Sequence, residues 1–343
     1  MTTRRRFLTT TLGAGAGLAL GLGPVSGVRA QTDVETRERN KAAVLRLKRS
    51  QGTPEADAVR AELQAPNYSR LRGGFNNFAA NARGQGFPSN GTNLRTAIPD
   101  RVDLIEDIIA DGDRVGLLFR VTGTHEESLF GIPPTGRSID VYEVGLYRLE
   151  DGQVVEGWFM ADEAALLKQV GAQLPERADG QRIAPPVTGE GLNGDEKLAQ
   201  LLADPQDSQP YRNKIAVARS KSSSPPENLR AEDYTQRRRG FQHLREFGIA
   251  NGAGELAVTQ SLPDRRDKVD FLLAEDDKVW MKFRLAGTNT RSLYGLPPSN
   301  ARVEVPELGI MTFENGAWKE GWYFGDELGL LLQTGQPDAL VSG

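Results

Sequence analysis

The 343-residue sequence contains no cysteine and only two histidines, His125 and His243. Without cysteine there are no disulfides, thiolate metal sites, thiol nucleophiles or dithiol redox chemistry, so stability must come from packing. Two histidines argue against a histidine-rich zinc or copper centre. Basic charge is also short: Lys and Arg total 42 against 46 Asp and Glu, and residues 1–30 hold four arginines and no acid. The acidic remainder suits neither nucleic acid nor an anionic membrane as main partner, since both favour a basic face. The local run Arg237-Arg238-Arg239 reads as a solvated helix face. The weakly apolar stretch 12–23 is short and glycine-rich for a membrane span.

What is present begins with an address. Thr3-Arg4-Arg5-Arg6-Phe7-Leu8 resembles a twin-arginine export motif, with Thr9 where the motif has Lys, and Val28-Arg29-Ala30 is a small-residue cleavage site. Residues 1–30 are therefore expected to be a twin-arginine signal peptide. Its removal would leave a periplasmic or secreted protein with no stable membrane insertion. The remainder, 38% hydrophobic and 26% charged over the whole chain, has the balance of a globular protein.

The body of the chain repeats itself. Gly123-Thr124-His125 and Leu129-Phe130-Gly131-Ile132-Pro133-Pro134 return 164 residues later as Gly287-Thr288-Asn289 and Leu293-Tyr294-Gly295-Leu296-Pro297-Pro298. A repeat of that length means two copies of one domain. Alternation and Asp-Gly turns predict strands over 102–110, 115–124, 139–149 and 154–160, and in the second copy over 268–274, 278–286, 302–313 and 317–324. Helical patterns over 33–49 and 55–63 precede the first meander, 162–170 and 326–333 close the two meanders, and 84–91 reads as a loop. Domain 1 is placed at 33–175, an aperiodic linker at 176–195, and domain 2 at 196–343. Each copy is α+β, helices first and then an antiparallel meander.

Side chains alternate across a strand, so parity separates its two faces. Val115, Leu117, Phe119 and Val121 lead to His125, and their counterparts lead to Asn289. Glu143 and Tyr147 share a parity with Ile139 and Val141, and Glu307 stands where Glu143 does. Glu156, Trp158, Met160 and Asp162 share another, as do Glu320, Trp322, Phe324 and Asp326. If these are concave faces, His125, Glu143, Trp158 and Asp162 are expected to meet in one interior. The plainer readings are that Asp162 caps a helix, His125 bonds its turn, the tryptophans are core, and Glu143 and Glu307 pair with Arg120 and Arg284. His243 is simplest as a packing residue.

Gly123-Thr124-His125, Leu129 to Arg137, Glu143, Asp151-Gly152, Glu156-x-Trp158 and Asp162-x-x-x-Leu166-Leu167 together resemble the SnoaL-like polyketide cyclase family. That family shares the cone-shaped α+β fold of nuclear transport factor 2, ketosteroid isomerase and scytalone dehydratase. The resemblance spans about 36–175 closely and 208–336 loosely. It implies two tandem cone-shaped α+β barrel domains, each a curved antiparallel sheet packed on N-terminal helices; an intramolecular pseudo-dimer is one arrangement open to them. It also implies cofactor-independent acid/base chemistry, with no metal, on a small hydrophobic carbonyl compound. The implied catalytic pair is Asp162 and His125; Glu143, Trp158, Phe119, Phe130, Tyr147, Asp326, Asn289 and Trp322 are the residues expected to line pockets. Asn289 in place of histidine makes domain 2 the degenerate copy. The alternatives are non-catalytic binding of a hydrophobic ligand, or a protein-interaction module.

Overall fold

The computed structural model describes residues 25–86, 90–189, 191–254 and 258–341. The twin-arginine motif lies outside them, and among the described residues no helix is long and apolar enough to cross a membrane. Domain 1 runs α1 (Val25–Arg49), α2 (Ala56–Leu63), β1 (Gln64–Arg72), α3 (Asn76–Ala82), α4 (Asn90–Ala97), β2 (Val102–Asp111), β3 (Arg114–Thr124), β4 (Ser138–Glu150), β5 (Gln153–Ala161) and α5 (Glu163–Val170). Domain 2 runs α6 (Gly194–Ala203), α7 (Gln209–Ser220), β6 (Arg230–Arg238), α8 (Gln242–Ala250), α9 (Val258–Ser261), β7 (Arg266–Glu275), β8 (Lys278–Thr288), β9 (Arg302–Glu314), β10 (Ala317–Gly325) and α10 (Glu327–Gln333). The molecule is thus two tandem cone-shaped α+β domains.

All eight meander strands fall where alternation puts them. The Asp-Gly turn at Asp151-Gly152 adopts the positive φ values, 49° and 81°, that such turns require. One strand per domain escapes the pattern. β1 and β6 pair in parallel with β5 and β10, giving sheet orders β1-β5-β4-β3-β2 and β6-β10-β9-β8-β7. Being exposed edge strands with little apolar content, they carry no hydrophobic alternation. Part of the expected loop 84–91 gives way at Asn90 to α4.

Between α5 and α6 the described residues form no helix or strand, yet the segment is tied down. The Ile183 N–H donates to Asn81 Oδ1 at 2.9 Å, Arg182 pairs with Asp338 at 2.7 Å, and Leu192 bridges to Val269 of β7.

Each sheet is buried on both faces. One face of the first packs with α1, α3 and α5 around Val115, Leu117, Phe119, Val141 and Tyr147. The opposite face meets the second sheet in one cluster that joins Leu118, Val144, Leu146, Trp158 and Met160 to Leu273, Trp280, Leu308, Ile310 and Phe324. Strand register assigns the faces. Phe119 stands opposite Glu143, and Glu143 opposite Ala161, on the cone side; Leu118 stands opposite Val144, and Val144 opposite Met160, at the seam.

Candidate functional site

The cone of domain 1 holds four ionisable side chains from three elements. α1 supplies Lys48 from its last turn, β2 and the residue before it supply Asp103 and Arg101, and β4 supplies Glu143. Asp103 accepts from Arg101 Nε and Nη2 at 2.8 and 3.1 Å, and pairs with Lys48 Nζ at 2.7 Å. The ammonium lies 3.3 Å from the centroid of Phe119, an arrangement that favours the cation. Glu143 points at the same group, with Arg101 Nη2 at 3.9 Å. Burial raises the Glu143 carboxyl above its ordinary value against the pull of Lys48 and Arg101. Burial also lowers Lys48 to about 8, although Glu143 and Asp103 oppose it. A carboxyl and an amine brought toward neutrality from opposite sides are suited to exchanging a proton with a bound molecule.

Three adjoining cavities meet around Gln51. A cleft of about 590 Å³ has Lys48, Arg49, Arg95, Arg101 and Asp103 in its wall. One of about 150 Å³ is lined by Arg70, Arg95, Tyr147 and Phe159. The third, about 70 Å³, reaches Glu143, Lys48, Phe119 and Phe159. Tyr147 packs edge-on against Phe159, with ring centroids 5.3 Å apart. A pocket of mixed lining, aromatic rings beside convergent ionisable groups, is open to the outside.

Domain 2 repeats the cluster. Arg265 donates to Asp267 at 2.8 and 2.9 Å, Lys221 pairs with Asp267 at 2.5 Å and lies 3.8 Å from the Phe283 centroid, and burial pushes Glu307 up to about 7.

Asp162 and His125 do not meet. Asp162 caps α5, accepting from the Ala165 N–H at 3.0 Å, and its other oxygen takes Arg238 Nη2 of domain 2 at 2.6 Å and stands 3.1 Å from His243 Nε2. Burial alone would raise this carboxyl, but Arg238, His243 and the cap hold it well below the usual carboxylate range. The mirror arrangement joins Asp326 to Arg72 at 2.8 Å, with Asn77 Nδ2 donating to Asp326 at 2.8 Å where His243 stands in the other half. His125 is buried, with Nδ1 3.0 Å from Thr135 Oγ1 and its N–H on the Arg137 carbonyl. Asn289 pins the matching turn through Ser299.

The expectation of one interior shared by His125, Glu143, Trp158 and Asp162 is therefore corrected. Trp158 and Trp322 lie on the seam faces of their sheets: Lys282 Nζ stands 4.7 Å from the Trp158 ring, and Trp322 packs edge-on against Tyr142 at 5.3 Å. Parity was misleading because both faces are apolar. Glu143, Phe119 and Tyr147 do reach the cone cavities. Trp158 and Asp326 instead line a seam cavity of about 140 Å³ beneath Pro185 and Pro186. Phe130, at φ 47°, is core, 5.7 Å from Phe78. Arg238 is a buried strand residue rather than part of a solvated helix face, and His243 bonds Asp162 rather than merely packing. Arg120 pairs with Glu106 and Asp140, and Arg284 with Asp270 and Glu304, not with Glu143 or Glu307.

Sequence reasoning missed Lys48, Arg101, Asp103 and Phe159. The repeated Pro-Asp-Arg-x-Asp, at Pro99–Asp103 and Pro263–Asp267, was the available signal.

The SnoaL-like polyketide cyclase family model matches residues 76–170 and 215–334. A protein of Jannaschia sp. CCS1 assigned as a SnoaL-like polyketide cyclase is similar at 24% identity, over 39% of this chain and 92% of its own, with a TM-score of 0.33. A Streptomyces antibioticus protein assigned as a polyketide cyclase is 24% identical over 39% and 99%, TM-score 0.33. A Streptomyces galilaeus protein assigned as a hydroxylase is 23% identical over 39% and 97%, TM-score 0.32. Among curated proteins none matches the chain. Matched by the family model in both of its cones, the chain belongs to the SnoaL-like polyketide cyclase family.

Proposed function

We infer that the first cone binds a small, largely apolar carbonyl compound and moves a proton on it, in cyclase or isomerase chemistry carried by the chain's own side chains. The observation that supports this is the buried, raised carboxyl of Glu143 beside Lys48 and Arg101 in a cavity that opens to solvent. Glu143 takes the proton from carbon, and the Lys48 ammonium and Arg101 stabilise the enolate oxygen that forms. Asp162 is less suited to the role of base, because Arg238 already neutralises it and low basicity weakens proton abstraction.

The test needs no knowledge of the product. Simple ketones and β-dicarbonyl compounds are incubated in D₂O, and loss of the C–H signal next to the carbonyl is followed by NMR. Wild-type protein should catalyse exchange, Glu143→Gln should lose about 10²-fold or more, and Glu307→Gln in the second cone should not. The pH profile should be bell-shaped. Its rising limb lies above the ordinary glutamate value as Glu143 ionises, and its falling limb lies near 8 as Lys48 loses its charge. Exchange that ignores Glu143→Gln would sink the reading.

The repeat of the same cluster in domain 2 favours one other reading, in which the charges organise the cone and the protein only binds its ligand. In that case no compound exchanges, yet some are retained. Export through Arg4-Arg5 belongs to the same proposal; Arg4→Lys/Arg5→Lys should leave the protein in the cytoplasmic fraction.

A further inference from the structure

We propose that the first cone selects an organic anion, held at its mouth by Arg49, Arg70 and Arg95 with its apolar body directed toward Phe159 and Tyr147. The inference rests on the reading of that cone as a ligand site and adds the class of ligand.

The comparison between the two domains carries it. Lys48, Arg101, Asp103 and Glu143 recur as Lys221, Arg265, Asp267 and Glu307, so that cluster belongs to the fold of both copies. The three arginines do not recur. Strand register sets Arg70 opposite Gly157, and the corresponding pairing sets Gln236 opposite Gly321. Counting back from Ile98-Pro99-Asp100-Arg101 and Leu262-Pro263-Asp264-Arg265 puts Thr259 in the place of Arg95, and counting on from the paired lysines puts Ser222 in the place of Arg49. The first domain therefore has three guanidiniums where the second has Ser, Gln and Thr.

None of these cations is tied up by a carboxylate. Arg49, Arg70 and Arg95 are exposed and form no ion pair among the described residues. Arg70 stands 5.5 Å over the Phe159 ring, between the two smaller cavities, and Arg95 borders both larger ones. The carboxylate nearest the cleft, Asp103, is already consumed by Arg101 and Lys48. Guanidinium forks match carboxylate and phosphate oxygens, and an anion there would face cations above and aromatic rings below.

The test uses the full mature chain and three probes with one ring system: 2-naphthoate, methyl 2-naphthoate and 2-naphthyl phosphate, titrated by calorimetry. Naphthoate should bind about tenfold or more tightly than its ester, the margin of a charge-assisted contact, and added salt should shrink the difference. The variant Arg49→Ser/Arg70→Gln/Arg95→Thr installs side chains that the second domain already carries at these positions. It should bind acid and ester alike, the acid having lost its advantage. Tighter binding of the naphthyl phosphate than of naphthoate would support the anion and move its headgroup to phosphate. Equal affinity for acid and ester in the wild type, or a preference that survives the triple substitution, overturns the inference and leaves the cone as a ligand site. Failure of every probe to bind would remove the ligand site itself.

Discussion

At the scale of single residues, Glu143 is held by what is missing opposite it. A Cβ on Gly74 would lie 2.1 Å from Glu143 Oε1, and one on Gly240 would lie 2.0 Å from Glu307 Oε1. Only a residue without a side chain lets the carboxyl occupy its place. The obstructed atom is the end of a flexible chain, so Gly74→Ala should displace Glu143 rather than break the domain. Thermal unfolding should show a change within about 1 kcal/mol, while proton exchange in the first cone falls about tenfold or more, since small misplacements are costly to catalysis. The matching Gly240→Ala should leave exchange unchanged. Glu143 itself was legible from strand parity. The function of Gly74 was not, because a close approach between β4 and the turn after β1 exists only once the sheet is closed.

At the scale of elements, the meander was readable because hydrophobic alternation and Asp-Gly turns are local signals. The edge strands β1 and β6 were not, since their order comes from parallel pairing to residues more than eighty positions away. The same limit explains the misplaced tryptophans. Alternation says that Trp158 and Phe159 face opposite ways, but with both faces buried it does not say which faces the cone.

The seam between the sheets has its own asymmetry. Trp280 is the counterpart of Gly116, and a Cβ on Gly116 would lie 2.6 Å from the Trp280 ring. The repeated positions meet each other there, leaving room for one indole and not two. Trp280→Ala should cost about 3–5 kcal/mol in denaturant unfolding, and Gly116→Val about 1–3 kcal/mol by overpacking. Combined, the two should cost less than their sum, because the cavity made by one admits the other.

At the scale of the whole molecule, the domains are joined by reciprocal ion pairs, Arg72 with Asp326 and Arg238 with Asp162, and the two halves differ in Asn77 against His243. His243 faces Asp162, Glu327 and Arg238, with Glu246 3.8 Å away. Burial alone would lower its pKa, but Glu327 and Asp162 outweigh it and raise the value above 6.5. Its contribution to stability is therefore full below 6.5 and is lost as pH rises through the folded value. Glu163 acts in the same direction. Burial and Asp326 push it up to about 8, so the folded state favours its neutral form and loses stability as pH climbs from the ordinary glutamate range toward 8. Unfolding midpoints should fall across that range, and His243→Asn, which copies Asn77, should flatten the slope. A wild-type midpoint that rises over the same range would contradict this reading of the seam.

The central claim is that proton transfer belongs to Glu143 in the first cone, while Asp162 holds the two domains together. Its most direct test is the deuterium exchange of one accepted carbonyl compound by Glu143→Gln and Asp162→Asn side by side, each checked for folding by circular dichroism. Glu143→Gln should lose about 10²-fold or more with its unfolding midpoint little changed, and Asp162→Asn should keep exchange within a few-fold while its midpoint drops. Loss of exchange in folded Asp162→Asn, with Glu143→Gln still active, would contradict the account.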